Sequence, residues 1–347
     1  MTEATTSSTS VEASASGGFS FAAFFRSPAA GALMGFVVVF IVFAIFGFSR
    51  NFISLPGITT WVNFASLVGI IAIPVGFLMI AGELDISTGA VLPAGAMTVA
   101  IISGHYELPV LAGIIGALLV GAFVGYVNGF IVTRTQVPSF IVTLATLFAV
   151  AGLTLYLSIL FINNTNSFYN APDWAKSLFG GKILGFNSSV FWWLGLVAAF
   201  YFFLHKSPMG AWVFALGGDQ ESARNAGIPV RRLKIGLFML CSTCAAFAGA
   251  LQVITFNSAT SQANFGLIFN TIISVVVGGV LLTGGFGTVM GIVFGVLTLA
   301  IVTQAIGFTE IDRNLSFLII GVMLLIAVLM NDTFRNLATS ASTTKKK

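Results

Sequence analysis

Charge is so sparse along this 347-residue chain, and so placed, that few folds remain open to it. Asp, Glu, Lys and Arg make up 7% of the residues, apolar types 57%, and the mean hydropathy is +1.02. A soluble domain covers itself with charged side chains, and too few are present for that. The charges gather in short gaps between apolar runs, which cover 29–48, 63–81, 88–104, 109–132, 139–161, 189–204, 235–254, 268–283, 288–308 and 314–331. A membrane helix needs about 17 to 25 mostly apolar residues. None of these runs alternates polar and apolar residues as a barrel strand would. A helix satisfies its own backbone in lipid. The expected fold is therefore an all-α polytopic bundle of about ten transmembrane helices.

The Ser/Thr-rich residues 1–27 carry acidic Glu3 and Glu12 early and lack the basic start and apolar stretch of a secretory signal. They read as a disordered tail, 332–347 as a second tail, and 28–331 as the membrane domain. With ten spans and a cytoplasmic start, the inner face holds 11 of the 15 Lys and Arg, among them Arg134, Lys206, Arg224, Arg231, Arg232 and Lys234. The outer face holds Arg50, Lys176, Lys182 and Arg313. This asymmetry puts both termini in the cytoplasm. The basic balance reflects membrane orientation, and nucleic acid is not expected as a partner. Cys241 and Cys244 form a CxxC inside an apolar run, and His105 and His205 sit at the ends of other spans. Small packing residues are expected there, with no metal site.

Three features carry the functional reading. Gly82-Glu83-Leu84-Asp85-Ile86-Ser87-Thr88-Gly89 places two carboxylates between apolar runs. It fits a break in the helical wall that offers acceptors to a polar solute. It fits equally a turn in which Asp85 or Ser87 caps the next helix. The gap 205–234 contains start and stop signals for a short helix over 219–226. Asp219 is the N-cap, Glu221 lies in the first turn, Arg224 near the end, Gly227 at the left-handed stop, and Pro229 follows. Such a helix is too short to stand alone in water, so a partner surface is expected. Gly121, Gly125 and Gly129, and again Gly287, Gly291 and Gly295, are spaced for close helix packing. Five helices per half would pair these two runs in an inverted repeat. The glycines, however, end one run and begin the other. Gly181-Lys182-Ile183 lacks the remainder of a phosphate loop, and no hydrolase motif is present, so neither catalytic residues nor ATP hydrolysis are expected of this chain.

Four stretches resemble the permease subunits of ribose-type ABC sugar importers. They are Ala81 to Gly89 (AGELDISTG), Pro138-Ser-Phe-Ile-Val-Thr-Leu144, Gly217 to Ile228 (GGDQESARNAGI), and the glycines 278, 279, 284, 285 and 287. Glu83 replaces a small or apolar residue of the usual motif, and Asp219 replaces a common Asn. The resemblance implies an inner-membrane, multi-pass subunit that imports a monosaccharide or related polyol. A second permease copy or close paralogue would complete the path. An ABC ATPase would carry ATP and magnesium and seat the 219–226 helix. An extracytoplasmic sugar-binding protein would deliver the solute. Glu83, Asp85 and Ser87 would lie near the translocation path, and Asp219, Glu221, Arg224 and Gly227 would serve coupling. The rival is an ion-coupled secondary transporter that uses Glu83 and Asp85 as its cation site.

Overall fold

The computed structural model describes residues 28–309, 312–315 and 318–325. Both expected tails, and residues 316–317 and 326–331 of the tenth apolar run, lie outside these residues. The described part is a helical bundle with two small antiparallel strand pairs. Its long helices are α1 (Pro28–Phe46), α2 (Leu55–Ile80), α3 (Thr88–Val99), α4 (Val110–Arg134), α5 (Ser139–Ile162), α6 (Ser188–Lys206), α9 (Val230–Phe256) and α11 (Val289–Ala300). A π-helical segment extends α3 to His105, and another carries α11 on to Ala305. Eight helices are long and apolar enough to cross a membrane among the described residues, and the chain is a multi-pass membrane protein. The eighth apolar run behaves differently. It forms only the 13-residue α10 (Phe265–Val277), and a glycine loop takes the rest. Two shorter helices, α7 (Pro208–Gly218) and α8 (Gln220–Asn225), fill the gap between α6 and α9.

α2 is the axle of the bundle. From Val68 to Ala81 every residue is buried, which is the signature of a helix that is apolar all round. α5 is the opposite: Leu153, Tyr156, Leu160 and Phe161 are exposed along it. Glycine sets the close contacts. A Cβ on Gly121, Gly125 or Gly129 would lie 2.4–2.7 Å from backbone of Ser242, Phe238 or Ile235, so α4 lies directly on α9. α3 and α9 approach in the same way: a Cβ on Gly95 would lie 2.6 Å from Ala246 O, and one on Gly249 2.1 Å from Leu92 O. In α11, Gly291 and Gly295 lie against Gly278 and Ser274 at the end of α10. Gly287 does not share that face. It precedes the cap Thr288, whose side chain accepts from Gly291 N, and lies in the loop against Val280 and Ile80. Trp193 is buried against Gly69.

At one end of the bundle, β1 (Asn166–Phe168) pairs with β4 (Ser258–Thr260), and β2 (Lys182–Ile183) pairs with β3 (Phe186–Asn187). α8 lies at the other end. The 27-residue α9 connects the two ends and is about 40 Å long.

Candidate functional site

The acidic turn between α2 and α3 is neither a solvent loop nor a simple helix cap. Gly82, at φ +81, turns the chain out of α2 with no Cβ to resist it. The following backbone is unwound, and α5 supplies what a helix would have supplied. Ser139 Oγ accepts from Leu84 N at 3.1 Å, and Thr143 Oγ1 accepts from Ile86 N at 3.3 Å. Those hydroxyls belong to the Pro138–Leu144 motif, so two stretches read separately in the sequence form one joint. Buried polar backbone must find partners, and here side chains of a neighbouring helix provide them.

Asp85 points into the protein. It is 1% exposed, and Ser87 is fully buried. Asp85 Oδ1 accepts from Ser87 N at 2.8 Å and from Ser87 Oγ at 2.6 Å, while Ser242 Oγ of α9 donates to Oδ2 at 3.2 Å. Asn128 Nδ2 of α4 donates to Ser87 Oγ at 3.0 Å. The carboxylate therefore bonds the turn to itself and to α9, with α4 held through Ser87. The expected side-chain cap of α3 is not made: Ser87 occupies the cap position without a capping bond, and Asp85 bonds two residues ahead instead. Asp85 and Ser87 thus sit inside the wall. Asp85→Ala is expected to leave three donors without their acceptor and to cost about 3 kcal/mol or more of thermal stability. Ser242→Ala, which removes one donor, is expected to cost about 1 kcal/mol. Thermal unfolding of the two purified variants checks the order.

Glu83 faces the end of the bundle that carries α8. Lys234 Nζ, near the start of α9, donates to Glu83 Oε1 at 2.5 Å and to Gln220 Oε1 at 2.6 Å. Glu83 and Lys234 side chains are 11% and 9% exposed, so the pair is nearly buried. Gln220 is the first residue of α8. One ammonium therefore ties the acidic turn, α8 and α9 together. In the sequence Lys234 is one more cation of the basic 205–234 gap, and nothing local points to a partner 151 positions earlier.

α8 forms as its signals require. Asp219 accepts from Ser222 N at 2.6 Å, and the Ser222 donors hold its carboxyl below the usual carboxylate range. Glu221 lies in the first turn and Arg224 in the last, both exposed. Gly227 takes φ +82, and the Gly227 and Ile228 N–H groups close the helix on Arg224 O and Ala223 O at 3.0 and 3.1 Å. α7 was not foreseen, although Ser207 caps it and Pro208 opens it. Beside α8 is a cleft of about 550 Å³ lined by Arg224, Arg231, Arg232 and Lys234 among others.

The glycine motifs converge on the end of α2. Gly285 N donates to Ile80 O at 2.7 Å. A Cβ on Gly217 would stand 1.7 Å from that same Ile80 oxygen and 2.5 Å from Gly285 N. A Cβ on Gly284, which takes φ +85, would stand 2.9 Å from Gly217 O and 3.1 Å from the Gly82 backbone. Gly82, Gly217 and Gly284–Gly285 come from three distant motifs and meet as bare backbone. The end of α7, the acidic turn and the loop before α11 are held at distances that no side chain permits.

The chain is similar in sequence to known proteins. The chain is 33% identical over 311 residues to an L-arabinose ABC transporter permease protein of Azospirillum brasilense, covering 87% of this chain and 88% of that one. It is 30% identical over 289 residues to the ribose import permease protein of Escherichia coli strain K12, covering 82% and 88%. It is 28% identical over 322 residues to the fructose import permease protein of Rhizobium meliloti, covering 90% and 87%. Residues 57–328, which hold the acidic turn, α8 and all the converging glycines, match the family described as "Branched-chain amino acid transport system / permease component", and the chain belongs to that permease family.

Proposed function

We propose that this chain is the membrane-spanning permease subunit of an ATP-driven importer for a monosaccharide or related polyol, set in a bacterial inner membrane. Relatives named for arabinose, ribose and fructose import support the solute class. A second permease subunit completes the path, an extracytoplasmic binding protein delivers the solute, and an ABC ATPase binds ATP and magnesium. The chain itself needs no cofactor and performs no hydrolysis.

The observation that carries this reading is the Lys234 bridge. α8 is a two-turn helix with exposed charges and closed caps, docked to the bundle at its first residue. A force applied to α8 by the ATPase reaches the acidic turn through a charged contact, without passing through flexible chain. From there the turn is fastened to α5 by hydroxyls and to α9 by Asp85, so the wall moves as a unit. In this mechanism Glu83 transmits, Asp85 and Ser87 keep the turn rigid, and Asp219, Glu221, Arg224 and Gly227 present α8 to the ATPase. Ion coupling fits less well: Glu83 is paired with Lys234, and Asp85 is occupied by three donors.

Arg224→Glu tests the seat. The substitution reverses an exposed charge on α8 and should leave membrane insertion intact. ATPase capture by the detergent-solubilised permease and ATP-driven uptake in vesicles are both expected to fall more than tenfold, as like charges across an interface cost several kcal/mol. Unchanged uptake would remove α8 from the coupling role.

A further inference from the structure

At the end of the bundle opposite α8 lies a second cleft, of about 480 Å³. Its floor is Leu92, Pro93 and Ala96 of α3, its walls the β1 and β4 strands and the last turns of α9. The size falls within the ~300–1,000 Å³ of small-molecule sites. Its polar groups include the carboxamides of Asn164, Asn166, Gln252, Gln262 and Asn264, and Phe168 adds an exposed ring. Among the described residues, no charged side chain lines it. The cleft by α8, lined by four cations, is its chemical opposite.

We propose that this cleft is a subsite for an uncharged polyhydroxy solute on its way across the membrane; the inference rests on the importer reading above. A carboxamide offers two donors and an acceptor with two lone pairs. A sugar hydroxyl both donates and accepts, so five amides match a ring of hydroxyls without requiring one orientation. An amino-acid zwitterion would need a partner for its ammonium and another for its carboxylate, and the lining supplies neither charge. Neutral hydrogen bonds, each worth only about 1 kcal/mol net, also release what they hold, as a transport path requires.

The position supports the same use. Pro93 cannot donate to the Gly89 carbonyl one turn back, and Asn264 N fills that vacancy at 2.8 Å. The start of α10 is thereby tied to the first turn of α3, beside the Pro93 that helps form the cleft floor. Asn264 Oδ1 accepts from Leu267 N at 3.0 Å, which leaves its NH2 to the cleft. Gln252 lies on α9, 18 residues and about 27 Å beyond Lys234. One rigid helix thus joins the amide cleft to the charged bridge that receives α8, and a movement at the bridge displaces one wall of the cleft.

The test is uptake by the full chain, assembled in vesicles with its ATPase and binding protein. The labelled probes are L-arabinose, D-ribose, D-fructose and L-leucine. Wild type is expected to carry at least one sugar and no leucine. Gln252→Leu combined with Asn166→Leu should lower that sugar uptake about tenfold, as expected for two lost hydrogen bonds. Basal hydrolysis by the assembled complex should stay unchanged, and Gln252→Asn should retain part of the flux. Should the double variant fail to assemble, Asn166→Ala and Asn164→Ala at exposed positions carry the same readout, with about threefold losses each. Sugar uptake untouched by these variants overturns the cleft and leaves the importer reading standing. Leucine uptake without any sugar uptake overturns both.

Discussion

Lys234→Met is expected to be the most damaging single charge deletion in this protein. It strands the Glu83 carboxylate at 11% exposure with no counter-ion and also frees Gln220, the first residue of α8. Removing one member of a buried pair typically costs about 3–5 kcal/mol, far more than the pair contributes relative to an apolar replacement. Thermal unfolding of the solubilised subunit should shift down accordingly, and uptake should fall by more than tenfold. The double variant Glu83→Gln with Lys234→Met separates the two roles. With no charge left unpaired, it should regain most of the thermal stability. Uptake should stay low, since α8 no longer has a charged tie to the acidic turn. If the double variant recovers stability and uptake together, the bridge serves only to neutralise Glu83. A Lys234→Met protein with wild-type stability and uptake would mean that the bridge is not formed.

Gly217→Ala is the second large effect expected, and it comes with an internal control. The added methyl carbon would lie 1.7 Å from Ile80 O and 2.5 Å from Gly285 N, both backbone atoms that no rotamer change can move. The Gly285–Ile80 hydrogen bond of 2.7 Å must break or the end of α7 must lift away. Overpacking usually costs about 1–3 kcal/mol, and a clash with backbone on both sides belongs at or above the top of that range. The adjacent Gly218→Ala meets nothing within 4 Å and should be neutral. Expression level and thermal unfolding of the two variants, side by side, check this. Equal behaviour would remove the glycine convergence as a constraint.

The sequence made some of this protein legible and hid the rest. Charge placement alone yielded a multi-pass helical bundle, because a helix in lipid needs a continuous apolar run and nothing else competes for that pattern. α8 was readable because caps are local: Asp219, Gly227 and Pro229 act on neighbours within a few residues. The eighth run misled because apolarity shows that a segment avoids water, not that it is helical throughout. Glycines 278, 279, 284, 285 and 287 end α10 early, and their packing against α2 and α7 decides it.

What the chain alone determined, then, was the bundle, the short capped helix and the presence of an acidic turn, all consequences of side chains acting over one or two helical turns. Tertiary structure decided what the turn touches. It buried Asp85 and Ser87, brought Ser139 and Thr143 to the unwound backbone, and set Lys234 between Glu83 and Gln220. These contacts join residues far apart in the chain, and their geometry is set by how closely glycine lets the helices approach. Spacing within the sequence carries no record of that approach, so the bridge and the amide cleft come into view only in the folded bundle.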